Sequence, residues 1–304
     1  MSNRHREPRK KGFWPLAILF AAFVLFLYGP VITIFVLSFQ GPEGGLTFPM
    51  RGVSLHWYHK LWQGLGVVDI GAALRRSFAL GAAVMVLTVL LSLSAGLAFR
   101  KKFRGADLLF YVTVASLIMP SIIVSLGIGL QFRLIDAAVK WLLESAGASD
   151  ALEGYTTSLG MFTSGLGAHL TWTLPFGLLI MFAVFNRFNP AYEEAARDQG
   201  ATPWQGFWHV VLPLIAPSVV GIGMFGFTLS WDEISRSSQA IGDLNTLPLE
   251  LQGLTTTVTD PAIYALGTIT TGVSLLVIAI ALASVAWLRA SRAGRSRRRA
   301  AAAT

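Results

Sequence analysis

Three groups of residues in this 304-residue chain have the types and spacing for chemistry. His56 and His59 stand i, i+3 in HWYHKLW, a separation at which two imidazoles on one helix face can share a metal ion. Trp231, Asp232 and Glu233 place an aromatic face beside two carboxylates, a combination that can hold a cationic amine by charge and cation–π contact. Residues 192–213, YEEAARDQGATPWQGFWHVVLP, crowd three carboxylates and an arginine into six positions. A self-contained catalyst would need more. Cysteine is absent, no GxxxxGK[ST] phosphate loop occurs, and His169 and His209 have no evident partner in the sequence. The chain therefore offers recognition and docking, and any ATP chemistry must sit on another polypeptide.

The elements that carry these residues are set by composition. The chain is 54% hydrophobic and 13% charged with mean hydropathy +0.60, whereas a soluble domain is about a quarter charged. That is the composition of a membrane protein. A helix crosses about 30 Å of hydrocarbon with roughly 20 apolar residues. Six charge-free windows qualify: Phe13–Phe39, Ser77–Phe99, Leu108–Phe132, Gly167–Phe185, Leu214–Trp231 and Tyr264–Leu288. The first follows a basic tail but is too long for a signal core and lacks a small-residue cleavage pattern, so it reads as an uncleaved anchor.

With six spans both termini share a side. Of the 24 Lys and Arg, 17 fall on that side, in the N-terminal tail (Arg4, Arg6, Arg9, Lys10, Lys11), at Arg100, Lys101, Lys102 and Arg104, at Arg187 and Arg197, and in the C-terminal RASRAGRSRRR. The excess marks the cytoplasmic face, so both termini and the 192–213 stretch are expected there. The C-terminal basic run is read as a contact for anionic lipid, with no nucleic acid implied. This gives basic tails at 1–12 and 289–304, a first helix at 13–39, an outer connection at 40–76 and a five-span core at 77–288.

No ionisable residue lies at the middle of any of these windows, which argues against an ion-coupled carrier. An intramembrane enzyme would need clustered His and carboxylates or an activated serine. His56 and His59 instead sit in an aromatic segment suited to the interface, where amphipathic packing explains them and no metal is expected. The acidic pair Asp232–Glu233 has a plain alternative to pathway lining: a solvated boundary, or a cap on the start of a loop helix.

The 192–213 stretch reads as two short helices. Asn189 can cap the first, Pro190 suits its first turn, Glu193 and Glu194 favour the helix dipole, and Gly200 ends it. Thr202 and Gln205 have capping-box spacing for the second, and Pro213 should bend the path into the fifth span. A surface helix explains this polarity but not its further order: Glu194-Ala195-Ala196, three residues, Gly200, nine residues, Val210-Val211-Leu212-Pro213.

That order resembles the cytoplasmic loop of ABC importer permeases, with Val210 in place of the usual Ile. LTFPMRGVSLHWYHKLW, FRGADLLFYVTVASLIMPSIIVSLGIG, FTLSWDEISRSSQAIG and NTLPLELQGL extend the resemblance, nearest to the second permease of the spermidine/putrescine subfamily. ISRSSQ departs from that subfamily's apolar continuation. The resemblance implies an all-α bacterial inner-membrane permease of type I importer fold, half of a translocation pathway for polyamines or a related small organic cation. Importers for opines, amino-acid derivatives, phosphonates, thiamine or iron stay open as alternatives. It further implies a non-catalytic subunit without cofactor, working with a second related permease, an ATPase dimer that binds ATP and Mg, and an extracytoplasmic binding protein. By position, Glu194, Ala195, Ala196, Gly200, Leu212 and Pro213 would couple to the ATPase, and Trp231, Asp232 and Glu233 would line the pathway.

Overall fold

The computed structural model describes residues 12–64, 69–101, 103–257 and 260–301, so the basic tail up to Lys11 and Lys102 lie outside the described residues. The described residues form helices, with one isolated antiparallel bridge between Gln40 and Val53. Six helical stretches are long and apolar enough to cross a membrane. Packing divides the chain into two compact units.

The first unit comprises Met1–Val67 and Leu254–Thr271. Its α1 (Phe13–Leu37) is apolar on every side and buries only Leu37, as expected of a helix whose solvent is lipid. The following loop is held by Gln40, whose side-chain oxygen accepts from the Arg51 N–H at 2.7 Å and whose nitrogen donates to the Gly45 carbonyl at 3.2 Å. Next, α2 (His56–Gln63) buries Trp57 and Leu61 and leaves His56 and His59 exposed. No group of three metal-ligating side chains gathers among the described residues. Lys60 on α2 pairs with Asp260.

The second unit comprises Val68–Gly253 and Gly272–Thr304. It begins with α3 (Ile70–Phe99), capped by the Asp69 carboxylate accepting from Ala72 N–H at 2.8 Å. Then come α4 (Ala106–Ala115), α5 (Ser121–Ser145), the short α6 (Ser149–Gly154), and α7 (Leu166–Asn186) entered through a π turn at Met161–Gly165. Next are α8 (Ala191–Asp198), α9 (Pro203–Gly206), a π turn at Phe207–Val211, and α10 (Leu212–Trp231). A single turn, α11 (Ser237–Ala240), precedes α12 (Leu247–Thr257) and α13 (Ala262–Ala301), and these last two run through both units.

The packed centre of this unit is the trio α3, α7 and α10. Helices in lipid gain little from burying apolar surface, so they associate by close approach at small residues and by shared hydrogen bonds. Both devices are present. A Cβ on Gly177 of α7 would lie 2.0 Å from Ser92 Oγ of α3, so the two helices touch where only hydrogen fits. Thr88 of α3 and Thr173 of α7 share a buried 2.7 Å hydrogen bond. Met181, Val211, Ile215 and Ile222 form a buried apolar cluster in the same core.

Two expectations need correction. The charge-free window Leu108–Phe132 is no single helix: α4 ends at Ala115, and α5 starts after Pro120 and runs on to Ser145. Pro120 supplies no N–H to a continuing helix, and Ser116 Oγ donates to the Thr113 and Thr171 carbonyls in the break. It is α5 that has the length and hydropathy of the third span, and it carries Arg133 and Asp136 at mid-helix. The statement that no span holds a central charge therefore fails for α5. Asp136 is matched there by donors from the 155–158 loop, namely Tyr155 Oη and Thr157 Oγ1 at 2.6 Å each and Ser158 N at 2.7 Å. The second correction concerns the corner before the fifth span. The helix that starts at Pro203 continues through the π turn into α10, giving one 29-residue stretch, Pro203–Trp231, with Pro213 inside it. A π turn, after which the Leu212 N–H bonds the Phe207 carbonyl, lies immediately before Pro213, which has no N–H to donate.

Candidate functional site

The 192–213 stretch folds as its caps dictate. Asn189 Oδ1 accepts from Ala191 N–H at 3.0 Å and starts α8. Gly200, at φ +81°, stops it. The Gly200 N–H bonds the Arg197 carbonyl at 2.8 Å and the Ala201 N–H bonds the Ala196 carbonyl at 3.0 Å, the paired 5→2 and 6→1 bonds of a Schellman motif. No atom lies within 4 Å of a Cβ built at Gly200, so glycine is needed there for its dihedral angle alone. Two residues on, the capping box closes: Thr202 Oγ1 accepts from Gln205 N–H at 3.3 Å, and Gln205 Oε1 accepts from Thr202 N–H at 2.8 Å. His209, which the sequence left without a partner, donates from Nδ1 to the Gln205 carbonyl at 3.0 Å.

On α8, Glu194 and Ala195 face outward and Ala196 is half-buried, while Leu212 and Pro213 begin α10 beside the buried Val211. The motif residues are thus an exposed helical surface and its connection to a membrane helix. Sequence reasoning missed the residue that fixes this surface. Arg100, at the C-terminal end of α3, donates through Nη1 to Glu193 Oε1 at 3.0 Å and through Nη2 to Glu193 Oε2. The guanidinium also lies over the rings of Phe185 and Phe188, at 5.1 and 5.5 Å from their centroids. The hydrogen bond from Arg100, and then its charge, hold the Glu193 carboxyl below its ordinary value, and Glu193 in turn raises Arg100. The only sequence signal was a basic cluster, FRKKFRG, which charge counting used for topology alone.

The other end of α3 lies near the second predicted group. Trp231 is 1% exposed and stacks on Phe227 with ring centroids 5.7 Å apart. Glu233 is half-buried, and its Oε1 accepts from Arg236 N–H at 3.0 Å, capping the turn α11. Asp232 is exposed at the end of α10, and the surrounding chain desolvates its carboxyl enough to raise it above the ordinary value. The three residues therefore stand in three environments: core, cap and surface.

Behind them is a polar cluster that the sequence did not reveal. His169 on α7 is buried and bridges two serines, Ser230 Oγ to Nδ1 at 2.8 Å and Ser237 Oγ to Nε2 at 2.9 Å. Ser237 Oγ already donates to the Glu233 carbonyl at 2.8 Å, so it accepts from Nε2–H and leaves Nδ1 to accept from Ser230. Arg236, fully buried, donates from Nη1 to Thr171 Oγ1 at 2.6 Å and lies 5.0 Å from the Trp172 ring centroid. Its Nε and Nη2 have no hydrogen-bond partner among the described residues. Ser125 on α5 donates to the Arg236 carbonyl at 2.9 Å and His169 on α7 bonds Ser237, so α5 and α7 both hold α11.

The chain is 27% identical to the putrescine transport system permease protein PotI of Escherichia coli over 95% of both chains. It is 28% identical to the spermidine/putrescine transport system permease protein PotC of Haemophilus influenzae, over 87% of this chain and 93% of that one. A chain in the crystal structure of a bacterial ABC transporter involved in alginate import has the same fold, with TM-score 0.58 at 15% identity over 92% of this chain and 96% of that one. Residues 88–292, which hold α8, its caps and the polar cluster, match the model of one family, and with six membrane-crossing helices the chain belongs to it: the binding-protein-dependent transport system inner membrane components, multi-pass proteins of the bacterial inner membrane.

Proposed function

We propose that this chain is one of two permease subunits of an ATP-driven importer for putrescine, spermidine or a related small organic cation. The observation that carries the coupling half of this reading is α8: a charged helix of 8 residues, exposed, capped at both ends and set between two membrane helices. Glu194, Ala195, Ala196 and Gly200 dock in a cleft of a cytoplasmic ATPase that binds ATP and Mg, and Leu212–Pro213 pass the motion to α10. Two permeases and two ATPases would rock between inward-open and outward-open states as rigid bodies. Both termini and α8 face the cytoplasm, in keeping with the distribution of Lys and Arg. An extracytoplasmic binding protein delivers the cargo.

The cargo assignment draws on the polyamine relatives and on Asp232, the exposed carboxylate of the Trp231–Asp232–Glu233 run. Arg236 favours a second reading. A buried guanidinium near Glu233, whose Nε and Nη2 have no hydrogen-bond partner among the described residues, suits a solute that carries a carboxylate, such as an opine or amino-acid derivative. Reconstitution with the ATPase, the second permease and the binding protein tests both. Putrescine should stimulate ATP hydrolysis, and Glu194→Lys should insert normally yet abolish that stimulation. Uptake by the permease alone on a proton or sodium gradient would refute the coupling role, and stimulation by an opine but not putrescine would transfer the cargo assignment to the second reading.

A further inference from the structure

We infer that Arg100 is a positioning residue of the coupling apparatus, locking α8 to α3 so that a push on α8 moves α3 instead of swivelling α8 on its end turns. The inference rests on the docking role proposed for α8. Two chain connections hold that helix, the turn at Asn186–Pro190 and the turn at Gly200–Thr202. A rigid rod fixed at two ends can still roll about the line between them. Packing against the Phe207–Val211 π turn limits the roll on one side. Glu193 lies in the first turn of α8, and its two-point ion pair with Arg100 reaches a helix 93 residues away in the chain.

The fork matters as much as the charge. A guanidinium meeting both carboxylate oxygens fixes direction as well as distance, which an ammonium does not. The rings of Phe185 and Phe188 under Arg100 fix the plane of the fork from the α7 side, so α3, α7 and α8 meet at one guanidinium. The charged groups facing the pair are few: Arg197, one turn along α8, donates from Nε to the Glu193 carbonyl at 3.4 Å. From Arg100 the path is stiff. α3 is bonded to α7 at Thr88–Thr173 and meets it without clearance at Gly177–Ser92, so displacement at the end of α3 enters the three-helix centre directly.

The test is a charge-swap cycle in the full complex, with ATPase stimulation by the binding protein presented with putrescine as readout. Arg100→Glu and Glu193→Arg should each insert and retain the ATPase but lose stimulation about five-fold or more, the lower end of usual coupling between sites. The double swap should regain most of it. Undiminished stimulation in the single variants, or a double variant no better than the worse single, would overturn the inference. Because the chain has no cysteine, Arg100→Cys with Glu193→Cys gives a second route. The open pair should be uncoupled, and closing it with a short bis-maleimide should restore coupling; no recovery on closing counts against the lock. Failure of the wild-type chain to retain any ATPase would overturn the proposed function and the lock together, whereas wild-type stimulation with unaffected variants overturns the lock alone.

Discussion

The Arg100 guanidinium and the Glu193 carboxylate are paired fork to fork across 93 residues of sequence, joining the end of one membrane helix to the first turn of a surface helix. Both side chains are about three-quarters covered, at 27% and 22% exposure, which sets this pair apart from a freely solvated surface ion pair.

Its pH dependence follows from the sign of the shift. Arg100 lowers the folded-state value of Glu193, so the pair stabilises the fold fully above the unfolded carboxyl value near 4.5 and loses that contribution as pH falls through the folded value. The melting temperature of the detergent-solubilised chain should exceed that of Glu193→Gln by a constant margin between about pH 6 and 8. The margin should close below about pH 4.5. A margin that grows on acidification would contradict the assignment.

Gly200 gives a prediction in which sterics play no part. Its surroundings are open, so a substitution meets only the cost of a left-handed backbone, about 1–2 kcal/mol for a side chain with a Cβ and less for Asn. ATPase stimulation should decline in the order Gly, Asn, Ala, Val at position 200 while membrane insertion stays constant. Equal stimulation by Gly200→Val and wild type would show that the Schellman turn is not needed.

Gly177 gives the opposite case. Its missing Cβ is filled by Ser92, so Gly177→Ala must separate α7 from α3 and should cost about 1–3 kcal/mol, seen as a lower melting temperature in detergent. Gly221 on α10 has nothing within 4 Å of its Cβ position, and Gly221→Ala should melt like wild type. Similar losses at both sites would remove close packing as the explanation.

His169→Ala would leave the buried Ser230 hydroxyl without its acceptor, at about 1–3 kcal/mol, and would cut the link from α7 to Ser237, whose hydroxyl keeps its bond to the Glu233 carbonyl. The damage should concentrate in α11, making residues 237–242 the first site of limited proteolysis. Cleavage elsewhere first would mean that the histidine does not hold α11.

The features legible in the sequence were those written in local chemistry. Thr202 with Gln205, and Gly200 after a charged turn, encode their helix ends within a few residues, and both ends form as the spacing requires. Hydropathy found the spans but misplaced the third, because a window average ignores the missing N–H of Pro120 and penalises Asp136 without counting the donors that later fold against it. His169 looked solitary because its partners lie 61 and 68 residues downstream. Arg100 had a local meaning as a topology charge, and that hid its distant one.

The doubly capped α8 also bears on how a partner meets this surface. A free peptide of 8 residues would hardly be helical in water, where about 12–15 residues are marginal. Here the caps, the ion pair and the flanking membrane helices order it in advance. On the docking role proposed for α8, an arriving subunit would meet a rigid ridge instead of a segment that must fold on contact, avoiding a backbone ordering cost of about 1–2 kcal/mol per residue. Under that proposal, a contact of modest area would suffice to follow the position of the helix beneath it.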